Sequence, residues 1–96
     1  MSTLHIVNKA SRATALAACL RVASSGDSIL LIEDGTYLMA TLQLGDLPTG
    51  ICCYALQADA QARGLSMPAS GTNIAMVDDS AFVELVCKHT RSLSWF

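Results

Sequence analysis

With 96 residues the chain has room for one hydrophobic core and reads as one domain over 1–96. It is 52 % hydrophobic and only 15 % charged, against roughly 25 % charged in ordinary soluble domains, so apolar surface is left over for a partner subunit and an obligate assembly is expected. The net charge of −2 and the scattered basic residues argue against direct nucleic-acid binding, which needs a basic stripe to displace counterions.

Membrane and secretory classes also fall away at this level. No apolar run approaches the ~20 residues of a membrane span, and the N-terminus lacks a basic region followed by an apolar one. A cytoplasmic protein with reduced thiols is the expectation.

In chain order, residues 4–7 predict a first strand, and Ser11 is a candidate N-cap for a helix over 13–23. Ala13, Leu16, Ala17 and Leu20 recur there at helical spacing, and Gly26 ends the run. Residues 27–33 contain Ile29, Leu30, Leu31 and Ile32 without alternation, the pattern of a parallel strand covered on both faces. Glu33, Asp34 and Gly35 then stand at the C-terminal end of that strand, where open α/β sheets place their working loops. The segment 37–42 reads equally as short helix or extended chain.

Gly45, Asp46, Pro48 and Gly50 mark a turn-rich connection before a third strand over 51–55. Residues 57–63 predict a short helix closed by Gly64, and a second loop runs from Ser66 through Pro68 to Gly71. A fourth strand covers 74–77. Asp78 or Asp79 then caps a helix carrying Phe82, Leu85, Val86 and His89, and 93–96 adds a fifth strand. This order predicts a single-domain α/β fold, an open mostly parallel sheet with helices on both faces.

The four cysteines bound the chemistry. None forms a Cys-x-x-Cys pair, and the tetrahedral convergence that zinc requires would have to violate strand polarity at Cys52 and Cys53, so no metal is expected. Cys19 falls at the edge of the first helix's apolar stripe, where a thiol is partly exposed yet held by packing. Arg12 and Arg21 are candidates to favour its thiolate, and the plainer reading is a small apolar residue at a helix or subunit contact. Cys52 and Cys53 point to opposite faces of one strand and read as core filler, as does Cys87 beside Val83.

His5 reads as a core histidine and His89 as a helix-end one, neither with a triad partner nearby in sequence. Glu33 and Asp34 are a candidate cation or acid–base pair, or, more plainly, a strand-end turn in which Gly35 takes the unusual backbone angle. After the first strand stand Asn8, Lys9, Ala10 and Ser11, with no phosphate-cradling glycines, and no Gly-x-Ser-x-Gly elbow exists. No cofactor is expected.

A further set of residues carries a resemblance. Leu4-His5-Ile6-Val7-Asn8-Lys9, Cys19-Leu20-Arg21, Glu33-Asp34-Gly35-Thr36-Tyr37, Tyr54-Ala55-Leu56 with Asp59, Ala62-Arg63-Gly64-Leu65, Asp78 with Phe82-Val83, Lys88-His89 and Trp95 follow one another as in the TusB/DsrH family, which the chain resembles over its whole length. The resemblance implies a DsrE-like, flavodoxin-related fold and membership of a TusBCD- or DsrEFH-type sulfur-relay complex. It implies partnership with TusC/DsrF-like and TusD/DsrE-like subunits in a dimer of heterotrimers, with a TusA-like donor and a TusE/DsrC-like acceptor. In such complexes persulfide sulfur passes between cysteines, the principal acceptor being on the TusD/DsrE subunit. Cys19 matches a first-helix cysteine of some DsrH-type chains and is the candidate catalytic residue, as a persulfide carrier. The implied destination is 2-thiouridine at the tRNA wobble position or, alternatively, dissimilatory sulfur oxidation. A non-catalytic scaffold subunit with an unreactive Cys19 is the third reading.

Overall fold

The computed structural model describes residues 2–10, 15–42, 47–65 and 74–95. Ser11, Arg12, Ala13 and the turn residues Gly45, Asp46, Ser66, Pro68 and Gly71 lie outside the described residues.

Five strands, β1 (Thr3–Val7), β2 (Ser28–Leu31), β3 (Cys52–Leu56), β4 (Ile74–Val77) and β5 (Arg91–Trp95), form one sheet in the order β4-β3-β2-β1-β5. Every neighbouring pair is parallel. The chain steps outward from β1 to β4 and then returns to pair β5 with the free side of β1, Thr3 opposite Arg91 and Val7 opposite Trp95. Helices α1 (Ala17–Val22), α2 (Gln57–Ala62) and α3 (Asp79–Lys88), with a 3-10 helix over Glu33–Ala40, make the connections.

The unbroken apolar run of β2 divides between two cores because successive side chains point to opposite faces. Ile29 and Leu31 join Val7, Cys53, Ala55 and Ile74 beneath Leu16 just before α1, Cys19 of α1, Leu38 and Met39 of the 3-10 helix and Ala60 of α2. Leu30 faces the other way, with Leu4 and Leu85, flanked by partly buried Ile6, Ile32, Tyr54, Val77 and Phe82. Full burial of each such aliphatic side chain contributes about 1.5–3 kcal/mol. Among the described residues α3 is the one helix on the second face, and Val83 and Val86 on that helix remain exposed, as do Val22 and Tyr37. The apolar excess of the sequence therefore does reach the surface.

Several boundaries differ from the sequence reading, among them β3 at Cys52–Leu56 and β5 at Arg91–Trp95. The expected start of the first helix at Ala13 lies outside the described residues; Ala15 and Leu16 already have helical backbone, and α1 itself covers Ala17–Val22. β2 stops at Leu31 because Glu33 turns the chain with a φ of 49°. Of the ambiguous 37–42 segment, residues 37–40 belong to the 3-10 helix, which starts at Glu33 itself, and Thr41 caps its end. Of the two candidate caps for α3 it is Asp78 that serves, its carboxylate accepting from the Ala81 amide at 2.9 Å. Among the described residues no helix is long and apolar enough to cross a membrane.

Candidate functional site

Cys19 is not at the border of core and surface. The buried stripe of this segment is Ala15, Leu16 and Cys19, with Leu20 only partly buried, so the apolar face centres one position away from where Leu16, Ala17 and Leu20 place it. Cys19 has no exposed surface, and burial, aided by the negative charge of Asp27, pushes its thiol up to about 12. Among the described residues no cation acts on Cys19. Arg21 is exposed in the last turn of α1, Arg12 lies outside the described residues, and the charge that reaches the sulfur is an anion. At neutral pH the group is a protonated thiol inside a core, the opposite of an activated nucleophile.

The other cysteines divide unexpectedly. Cys53 is core, and burial, with smaller contributions from Cys19 and Cys52, pushes it up to about 12. Cys52 and Cys87 are exposed, which corrects their reading as packing residues. Cys52 opens β3 on the same face of the sheet as α3, and Ala75, on that face of β4, is exposed as well. All four thiols are free.

A polar chain lies beneath the start of the sheet. His5 on β1 is completely buried, and its Nε2 donates to Asp27 Oδ2 at 2.9 Å. That tautomer follows from the other ring nitrogen, since Nδ1 accepts from the Trp95 indole, which can only donate, at 3.0 Å. Asp27 Oδ1 accepts from the Thr3 amide at 2.9 Å and Oδ2 also from the Ser24 amide at 3.1 Å. Burial raises the Asp27 carboxyl, but the bonds from His5, Ser24 and Thr3 outweigh it and hold the pKa below the usual value. Sequence reasoning placed His5 in the core but gave it no partner and treated Asp27 only as a strand start. An acid beginning the strand beside a buried histidine was the available signal.

His89 is a helix-end residue as expected, buried, with Nδ1 donating to the Leu85 carbonyl at 2.8 Å and Nε2 accepting from the Ser28 hydroxyl at 2.9 Å. It joins the end of α3 to the start of β2.

At the opposite, C-terminal edge of the sheet, Glu33 and Asp34 do not converge on a common ligand. The Arg63 Nε donates to Asp34 at 2.9 Å, and Asp59 accepts from the Glu33 amide at 2.7 Å. The left-handed backbone angle falls on Glu33, not Gly35. Gly35 is needed for a different reason, because a Cβ there would overlap the Val7 carbonyl oxygen. Among the described residues no three His, Cys, Asp or Glu side chains are grouped to hold a metal.

Comparison with known proteins bears directly on this arrangement. A family model described as DsrH-like protein matches residues 9–92. The chain is 32 % identical over 97 residues to protein TusB of Pectobacterium parmentieri and 37 % over 100 residues to that of Escherichia fergusonii, each alignment covering 96 % of this chain and 99 % of the relative. In structure it is similar to protein Tm0979 from Thermotoga maritima, with a TM-score of 0.65 and 26 % identity over 90 % of this chain and 92 % of the other. The fold is also that of the ychN protein from E. coli, with a TM-score of 0.63 at 12 % identity over 99 % and 100 % of the two chains. A parallel five-stranded α/β sheet and similarity along essentially the full length agree, and the chain belongs to the TusB/DsrH family.

Proposed function

We propose that this chain is a subunit of a cytoplasmic sulfurtransferase complex that serves 2-thiouridine formation at the tRNA wobble position, and that within it the chain shapes a docking surface while a partner's cysteine carries the persulfide. Family membership and the similarity to TusB proteins support the complex. The burial of Cys19 supports the division of labour. In a relay step an acceptor thiolate attacks the outer sulfur of the donor persulfide. A new sulfur–sulfur bond forms, the donor's breaks, and the electron pair leaves on the donor thiolate. A carrier must therefore be ionised and within reach of its donor. A core thiol pushed up to about 12 meets neither condition without opening of α1.

The partners proposed are TusC- and TusD-like subunits, with a TusA-like donor and a TusE-like acceptor. The scattered charge of this chain fits contact with proteins and not with tRNA. The test is intact-protein mass spectrometry of the co-purified complex after incubation with a persulfide-loaded donor, for the natural chain and for Cys19→Ala. A gain of one sulfur on a partner subunit, unchanged by the substitution, is the expected result. A gain on this chain that disappears with Cys19 would make it a carrier. Nucleoside analysis of tRNA from cells lacking the chain distinguishes wobble thiolation from sulfur oxidation.

A further inference from the structure

The molecule is electrically polarised along its strands. At the C-terminal edge of the sheet stand five acids, Glu33, Asp34, Asp59, Asp78 and Asp79, against two cations, Lys9 and Arg63. At the N-terminal edge, where each helix ends and the next strand begins, stand exposed Arg21, Lys88 and Arg91. A cleft of about 360 Å³ opens at this cationic end between the last turn of α1 and the start of β5. Its floor is Thr3, His5 and Asp27, all buried, and its rim includes Val22, Ser24 and Arg91. That volume lies within the range of small-ligand sites, roughly 300–1,000 Å³.

We propose that this cleft binds a carboxylate-bearing ligand, with the carboxylate on the terminal nitrogens of Arg91 and the apolar body against Val22. Arg91 is aimed and unspent. Its Nε donates to Thr3 Oγ1 at 3.1 Å, which pins the guanidinium over the first residue of β1. Among the described residues its two terminal nitrogens have no carboxylate partner, whereas Arg63 at the other edge is paired with Asp34. A planar guanidinium held by one nitrogen, with its outer fork open, suits bidentate carboxylate recognition. The nearby acid does not occupy it, because both oxygens of Asp27 are taken by the Thr3 and Ser24 amides and by His5. Those bonds satisfy the oxygens of Asp27 but leave its negative charge on the floor, so a carboxylate is held at the rim on Arg91 and not against the floor. Val22 is 51 % exposed there and supplies the apolar wall.

A carboxylate reaches such a cleft either on a small free acid or as the C-terminus of a polypeptide, and the test separates the two. The isotope-labelled full-length chain, alone and in the assembly with which it co-purifies, is titrated with isovalerate, with a leucine-terminated tripeptide and with the same peptide amidated. Sodium chloride at matched ionic strength is the reference. The amides of Thr3 and Ser24 and the Arg91 Nε–H are followed by NMR, for the natural chain, Arg91→Gln and Arg91→Lys. Saturable shifts with isovalerate, weakened more than about tenfold in Arg91→Gln by loss of the charge-assisted pair and less in Arg91→Lys, identify a free-acid site. Shifts confined to the peptide with a free C-terminus identify a polypeptide one. Equal shifts with chloride would mean an adventitious ion only and overturn the proposal. So would an amidated peptide that binds as well as the free one, unaltered binding by folded Arg91→Gln, or no response in the cleft.

Discussion

The indole of Trp95 donates to the buried ring of His5 at 3.0 Å across a sequence separation of 90 residues. The rings lie 6.0 Å apart and nearly parallel, 29° between planes. Since His5 passes the polarity on to Asp27, and Asp27 holds the amides of Thr3 and Ser24, one contact ties the last strand to the first connection of the sheet. The placement also explains how β5 is held at a sheet edge: its Arg91 and Trp95 are each anchored by a side chain of β1.

Removing the centre of this chain should cost more than removing its end. Asp27→Ala strips the acceptor from two backbone amides and the His5 N–H, and each buried donor left unpaired costs about 1–3 kcal/mol. A loss of roughly 2–5 kcal/mol is expected after partial rehydration through the cleft. Trp95→Phe removes one donor and some packing and should cost about 1–2 kcal/mol. Urea unfolding of both variants checks the order, and Trp95→Phe proving the more damaging would contradict it.

The same carboxylate gives the protein an acid-dependent stability. The folded pKa of Asp27 lies below its unfolded value, which is about 3.9. The folded state therefore binds fewer protons, and this contribution is fully present above roughly pH 5, then is lost as pH falls through about 4 and the lower folded value. Asp27→Asn lacks the titration. The stability difference between the natural chain and Asp27→Asn should be flat from neutral to mildly acidic pH and shrink in acid. Unfolding midpoints across that range measure it, and a difference that grows with acid would reverse the sign.

Much of this fold is legible in the sequence because β2 carries Ile29 to Ile32 without alternation, which only a sheet covered on both faces accommodates. Local signals also mark the start of α3, where Asp78 caps. Less legible are features decided by packing between distant segments. Helical spacing alone placed Cys19 on a border, but the position of α1 over Cys53 and Val7 rotates it into the core. Cys52 looked like strand interior, yet among the described residues α3 is the one helix on that face and Cys52 is exposed. The His5–Asp27 pair spans 22 residues and depends on parallel register, which no local pattern displays.

Thiol accessibility follows directly from these positions. In the folded chain alone, iodoacetamide at mildly alkaline pH should modify Cys52 and Cys87 readily and leave Cys19 and Cys53 protected, while denaturant exposes all four. Cys19→Ala should cost about 1 kcal/mol, as expected for a small core truncation. Peptide mapping of the alkylated protein reads the pattern. Rapid labelling of Cys19 in the native state would show that α1 opens readily and would restore it as a carrier.

The turn after β2 provides a test in which two neighbouring positions respond in opposite directions. Glu33 holds a φ of 49°, where a side chain costs roughly 1 kcal/mol relative to glycine. Its amide is fixed by Asp59 and its carbonyl accepts from the Thr36 hydroxyl at 2.7 Å, so the conformation is imposed by its surroundings. Glu33→Gly should therefore stabilise the chain by up to about 1 kcal/mol, since the backbone bonds remain and the strain is relieved. Gly35→Ala should do the reverse. Its Cβ would meet the Val7 carbonyl, the acceptor for the Ile32 amide that joins β1 to β2, and overpacking of this kind costs about 1–3 kcal/mol. Thermal unfolding of the two variants checks both signs. If Glu33→Gly destabilises while folding normally, the left-handed turn depends on the glutamate side chain and is not a site of relieved strain.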